Sequence, residues 1–218
     1  MRRFDLVCFD VDGTLVIHPD GKVVWQILNE KFLGTDHLNE ERYARYRRGE
    51  ISYPDWVALD VGDWMRAGAT RETILEGMGT LTLVGGARET LAALKSAGCR
   101  LAVISGTLDL CLDTLFPDHP FDDVHTNRIW FDEEGRIAGW EATPFDMEGK
   151  ARALREIAAR EGIPLERCAF VGDHTNDVAA AREAGLAVAF NPKSAEIEAA
   201  SDVVLRGDDL RAVLSHVP

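Results

Sequence analysis

Positive charge, cysteine and long apolar runs are all scarce in this sequence, and each scarcity excludes something. Against 37 Asp and Glu stand 24 Lys and Arg, a formal net charge of −13. A chain this acidic does not grip nucleic acid or an anionic membrane through a general positive field, although a few basic groups and a metal can still hold a small anion locally. No stretch reaches the roughly 18–20 apolar residues that a membrane span requires. The four cysteines, Cys8, Cys99, Cys111 and Cys168, form no C-x-x-C pair and sit among apolar neighbours. They read as buried thiols of a reducing compartment, not as a disulfide frame or a zinc site. Met1-Arg2-Arg3-Phe4 begins as a signal peptide does, but the apolar run stops at Asp10 and Asp12. Internal repeats and low-complexity tracts are missing too. The expectation is a soluble, cytoplasmic globular protein, monomer or homodimer, with no nucleic-acid or membrane partner.

What is present is a pattern of strand and helix. The 218 residues, 46% of them hydrophobic, suit one core domain plus an insert. Phe4 to Phe9 is a short apolar run ending in Asp10-Val11-Asp12-Gly13-Thr14. Leu101–Ile104, ending at Ser105-Gly106, Cys168–Val171, ending at Gly172-Asp173, and Leu186–Phe190 repeat it. Runs of this kind read as strands buried on both faces. Between them, Ala87, Leu91 and Leu94, then Ala151, Leu154 and Ile157, then Val178 and Ala181 form helical stripes, each closed by a glycine. The alternation predicts an α/β fold with a doubly wound, mostly parallel sheet, in which polar groups at strand carboxyl ends meet in one crevice. Two segments break the rhythm. Residues 17–82 carry three helical stripes and no buried strand, which predicts a helical insert domain, with 1–16 and 83–218 as the core. Val124 to Phe145 reads as a hairpin around Asp132-Glu133-Glu134-Gly135.

The predicted strand ends carry Asp10 and Asp12, Ser105, and Asp173 and Asp177. Carboxylates gathered in one crevice repel by about 4 kcal/mol per pair at ~4 Å and an effective dielectric near 20. A cation relieves this, and oxygen donors without His or Cys favour a hard ion such as Mg²⁺, which also takes phosphate. Singly, each residue has a plainer use: the Asp pair as turn formers, Ser105 and Asp173 as helix caps, Lys150 as a solvated lysine.

Taken in order, Phe9-Asp10-Val11-Asp12-Gly13-Thr14-Leu15, Val103-Ile104-Ser105-Gly106-Thr107, Lys150 and Gly172-Asp173-His174-Thr175-Asn176-Asp177 resemble the four motifs of the haloacid dehalogenase superfamily. The insert resembles that family's C1 cap, and the tail through Asn191-Pro192-Lys193 its phosphoserine phosphatase branch. The resemblance implies a Mg²⁺-dependent phosphatase acting on a small phosphate ester. It implies Asp10 as nucleophile, Asp12 as acid and base, and Ser105, Gly106, Lys150 and Asn176 on the phosphate. Asp10, Asp12 through its backbone carbonyl, and Asp173 would hold the metal, with Asp177 orienting a metal water or Lys150. The second aspartate, Asp12, favours phosphate chemistry over dehalogenation, because halide leaves without a proton.

The chain departs from that branch where a cap Glu and a cap Arg are expected: Pro19, beside Asp20, and Asp60 stand there, with Asp20 left as a group that can serve an amine. An acid at Asp60 repels a carboxylate, which argues against phosphoserine. Arg42, Arg45, Arg47 and Arg48 read as a solvated face balanced by Glu40, Glu41 and Glu50, with binding of a second substrate anion as the other use. His18, Trp25, Trp56 and Trp64 either shape a pocket or, as tryptophans at helical spacing usually do, fill a core. Two rivals stay open: a phosphomutase or phosphotransferase using the same intermediate, and a non-enzymatic phospho-acceptor resembling response-regulator receivers. Residues 17–82 count against the second, since a receiver has no cap.

Overall fold

The structure, a computed structural model, describes residues 4–217. Its first strand, β1 (Leu6–Phe9), is buried at every position, which is why its sequence shows no polar alternation. Val7 and Phe9 pack into one hydrophobic cluster and Leu6 and Cys8 into another, on opposite faces of the sheet. A two-residue ribbon, β2 (Val16–Ile17) against β3 (Thr82–Leu83), leads out to four helices and back. These are α1 (Val24–Leu33), α2 (His37–Arg47), α3 (Tyr53–Arg66) and α4 (Arg71–Gly77). The chain then runs through α5 (Ala87–Ser96), β4 (Arg100–Leu108), α6 (Asp109–Leu115), β5 (Asp123–Phe131) and β6 (Ile137–Glu141). It ends with α7 (Lys150–Glu161), β7 (Cys168–Gly172), α8 (Val178–Glu183), β8 (Leu186–Phe190), α9 (Ala195–Ala200) and β9 (Val203–Leu205).

The large sheet has the order β6-β5-β4-β1-β7-β8-β9. Every pairing is parallel except β5 with β6, the hairpin. Helices cover both faces: Leu91 and Leu94 of α5 belong to one cluster, and Ala153, Leu154 and Ile157 of α7 to the other. Each buried Leu or Ile among them contributes about 1.5–3 kcal/mol. Phe9 aligns with Val103 on one side and Val171 on the other. The register therefore brings the carboxyl ends of β1 and β7 together beside the Val103–Ser105 stretch of β4. The four cysteines are buried. Among the described residues, no helix is long and apolar enough to cross a membrane.

Two elements depart from the sequence reading. β4 continues through Ser105 to Leu108, with its register to β5 shifting between Ile104 and Leu108. Helix α2 carries no apolar stripe at all, and its one buried residue is Arg42. The other three helices of the insert match stripes in the sequence, and Thr70 caps α4 by accepting from the Thr73 N–H at 3.3 Å.

Candidate active site

The segment after β1 folds back tightly, because the Val11 carbonyl accepts from the N–H groups of Thr14, Leu15 and Val16. Gly13 sits in that turn with φ +90°, and a Cβ there would lie 2.1 Å from Asp173 Oδ2 and 2.6 Å from Lys193 Nζ. Only glycine accepts this backbone and leaves Asp173 and Lys193 room. Behind the turn, Lys150, the first residue of α7, is completely buried. Its ammonium donates to Asp10 Oδ1 and Asp177 Oδ1, both at 2.6 Å. Asp177 Oδ2 accepts from the Asp173 and His174 backbone N–H groups at 2.9 and 3.1 Å. Both oxygens of Asp177 are thus held by the protein. Asp173 Oδ2 lies 3.0 Å from Lys193 Nζ, an ion pair without hydrogen-bond geometry.

The charges explain the titration behaviour. Burial opposes the charge on Lys150, but Asp10, Asp177 and Asp146 outweigh it and raise its pKa above that of an ordinary lysine. Desolvation and the neighbouring Asp10 push the Asp12 carboxyl up to about 7. Burial, with Asp10 and Asp177 nearby, also raises Asp173 against the pull of Lys193. Burial raises Asp177 in the same way, against Lys150. Four carboxylates face two ammonium groups, and this surplus negative charge adds to the burial that chiefly pushes these acids upward.

Oxygens of Asp10, Asp173 and Asp177 lie within 4.8 Å of one another, and all three residues are buried. The donor set is oxygen alone, the surplus is negative, and Asp173 Oδ2 has no hydrogen-bond donor. These features fit a hard divalent cation.

One cavity of about 400 Å³ joins this cluster to the helical insert. Asp10, Asp12, Ser105, Gly106, Asp173 and Asn176 line it at the sheet, whereas Lys150 and Asp177 lie behind its wall. Ser105 is buried, and its hydroxyl accepts from the Thr107 N–H at 3.2 Å. Asn176 donates to Asp146 Oδ1 at 2.9 Å. Gly106 is needed here: a Cβ on it would fall 2.0 Å from Asp146 Oδ2. The Gly106 carbonyl accepts from the Trp25 indole N–H and from Asn127 Nδ2, each at 2.7 Å. Asn127 also donates to the Tyr53 hydroxyl at 2.7 Å and accepts from the Thr143 N–H at 2.9 Å. A side chain of β5 thus ties the insert to the second strand end.

The sequence reading did not single out Asp146, Asn127, Tyr43 or Tyr53, which lie in a loop, a strand and helices without a motif, and it treated Lys193 only as part of a tail. It also misplaced Arg42. That guanidinium is buried and pairs with Asp60 and Asp63 of α3, so it is not a solvated group. Asn29 donates to Asp60 Oδ1 at 3.1 Å and accepts from the Trp64 indole at 2.7 Å, completing a polar network inside the insert. Burial raises the Asp60 carboxyl above its ordinary value, against Arg42 and Asn29. Trp64 is core, stacked on Trp25 at 5.1 Å, whereas Trp25 and Trp56 line the cavity.

Comparison with known proteins adds to this geometry. The chain is 33% identical over 195 residues to a phosphoserine phosphatase of Archaeoglobus fulgidus, covering 88% of this chain and 54% of that protein. It therefore spans about half the length of that relative. It is 28% identical over 223 residues to a phosphoserine phosphatase of Methanocaldococcus jannaschii, covering 99% of each. The fold is similar to a solved phospho-aspartyl intermediate analogue of phosphoserine phosphatase, with a TM-score of 0.78 at 24% identity over the whole of both chains. A family model described as haloacid dehalogenase-like hydrolase matches residues 4–185. With that match over most of its length, the chain belongs to the haloacid dehalogenase-like hydrolases.

Proposed function

We propose that this protein is a Mg²⁺-dependent phosphomonoesterase that hydrolyses a small phosphate ester through an aspartyl-phosphate on Asp10. The observation that carries the reading is Asp10 itself, opening into the cavity while Lys150 holds its Oδ1 from behind at 2.6 Å. In the first step Asp10 attacks phosphorus, the bond from phosphorus to the ester oxygen breaks, and Asp12 gives the leaving alkoxide a proton. In the second, Asp12 takes a proton from water as that water attacks phosphorus, freeing the Asp10 carboxylate and inorganic phosphate. Splitting one displacement into two lowers each barrier. Ser105, the Gly106 N–H and Asn176 take phosphoryl oxygens, and Lys150 offsets their charge. Asp10, the Asp12 backbone carbonyl and Asp173 would hold Mg²⁺. Asp177, with both oxygens already engaged, positions Lys150 and the turn after β7 instead. When bound, the cation supplies charge neutralisation at the phosphate. The insert, residues 17–82, acts as a cap that admits the ester and then excludes water. Names of the relatives and the family match support this reading.

The test is phosphate release from a panel of esters with Mg²⁺, with chelator, and with added alcohols. Release that requires Mg²⁺ and is unaffected by alcohols is expected. Transfer to an alcohol in place of release would make the protein a phosphotransferase, and stable phosphorylation of Asp10 without turnover would make it a phospho-acceptor.

A further inference from the structure

The phosphatase reading concerns one end of the cavity, and the leaving alcohol is chosen by the other. Trp25, Tyr43, Tyr53 and Trp56 line that other end, with Glu40 and Asp60. Among the described residues, Lys193 is the only Lys or Arg that lines the cavity, and it sits at the sheet end against Asp173. The insert's buried cation, Arg42, is already held by Asp60 and Asp63. A substrate carboxylate at this end would meet the carboxylates of Glu40 and Asp60 and, among the described residues lining the cavity there, no Lys or Arg, which is repulsive.

Asp60 is 1% exposed, and its two oxygens differ. Oδ1 receives Arg42 and Asn29, while Oδ2 has no hydrogen-bond partner. The Trp56 indole N–H approaches Asp60 but does not reach hydrogen-bond geometry. A buried acceptor without a donor is destabilising until something supplies an N–H or O–H. Trp56 is itself surrounded by rings, with Tyr43 at 6.1 Å and Tyr53 at 6.2 Å. Aromatic faces attract cations, most strongly where water is excluded.

We infer that the cap end of the cavity receives a primary ammonium group, so that the substrate is an aminoalkyl phosphate ester without a carboxylate. The ammonium donates to Asp60 Oδ2 between the rings of Trp25, Tyr43, Tyr53 and Trp56, and the phosphate reaches Asp10. This rests on the phosphatase reading for the phosphate end only.

The experiment compares kcat/KM for four esters with Mg²⁺: 2-aminoethyl phosphate, its N-trimethyl analogue, propyl phosphate and phosphoserine. The aminoethyl ester is expected to exceed each of the others by about ten-fold or more, as a hydrogen bond between charged groups warrants. A propyl ester or phosphoserine turned over equally well overturns the inference while leaving the phosphatase standing. An N-trimethyl ester turned over equally well overturns the hydrogen bond to Asp60, since that cation has no N–H. Binding of 2-aminoethylphosphonate against propylphosphonate, read by tryptophan fluorescence, separates the two readings. If no ester is hydrolysed yet the amine binds about ten-fold tighter, the phosphatase reading falls and the ammonium site stands. Equal binding of the two phosphonates sinks the site. In Asp60→Asn the aminoethyl-to-propyl ratio should drop by about ten-fold. Should that variant misfold with Arg42 half-paired, Tyr43→Leu should lower the same ratio through KM, and an unchanged ratio there overturns the aromatic site.

Discussion

Two buried cations flank the same cavity, and each is clasped by a pair of carboxylates. At the sheet, Lys150 joins Asp10 to Asp177. In the insert, Arg42 joins Asp60 to Asp63. In both pairs one carboxylate also lines the cavity, Asp10 at one end and Asp60 at the other. The difference lies in what surrounds them. Lys150 stands among surplus acids on the rigid carboxyl edge of a seven-stranded sheet, a setting suited to neutralising charge that develops during a reaction. Arg42 joins α2 to α3, helices whose Tyr43 and Tyr53 rings contact that of Trp56, a setting suited to holding a shape. On the proposed reading, the same ion-pair chemistry would serve reaction at one end and selection at the other.

Removing the carboxylate at the reacting end should have the largest effect. Asp10→Asn is expected to lose at least roughly 10³-fold in kcat while remaining folded by circular dichroism, because the proposed nucleophile is gone and Lys150 keeps Asp177. Full activity in that variant would end the contrast between the two ends. Lys150→Met comes next. It leaves Asp10 and Asp177 buried and facing each other, so unfolding in denaturant should show a loss of about 3–5 kcal/mol. The rate should also fall by about 10²-fold or more. Added Mg²⁺ should recover part of the stability but not the rate.

The two ends were not equally legible. Asp10, Asp12, Ser105 and Asp173 stand at or just past the ends of buried apolar runs, so the period and the ending of each run point to them. Lys150 gains its meaning from order alone, since a lysine in a charged helix looks solvated until the strand ends converge. Arg42 was misread because its partners, Asp60 and Asp63, lie on another helix, and α2 has no apolar stripe to reveal which face is buried. The same blindness hid Asn127 and Asp146. Their roles come from the register of β4 with β5 and from the close approach to Gly106, neither of which leaves a local pattern.

Arg42→Met should destabilise about as much as Lys150→Met, by about 3–5 kcal/mol, but its kinetic signature should differ. KM should rise with kcat changed less, because the insert loses its shape and the strand ends do not. Loss of kcat with KM unchanged would mean that Arg42 acts on the reaction. Acid offers a finer version of the same test. Burial works to raise Asp63, but Arg42 and Arg66 outweigh it and hold its carboxyl below the ordinary 3.8. A depressed folded value stabilises above the unfolded one and is lost as pH falls through the folded value. Tryptophan fluorescence of the wild type should therefore report loosening of the insert below about pH 4. In Asp63→Asn that part of the pH dependence should vanish.

The smallest expected effect tests the join between the ends. Trp25→Phe removes the indole N–H that reaches the Gly106 carbonyl at 2.7 Å. Asn127 still donates to that carbonyl, so no buried acceptor is orphaned. The cost should stay near the ~0.5–1.5 kcal/mol of one hydrogen bond, or about 2- to 10-fold. The phenylalanine ring can keep the stacking against Trp64, so the core of the insert should persist. Because the lost bond holds the insert to the sheet, the change belongs in KM, as a weaker closed state. A fall in kcat of about 100-fold at constant KM would carry a different meaning. It would show that Trp25 steadies the Gly106 amide in the transition state, and the end that selects would then also take part in the reaction.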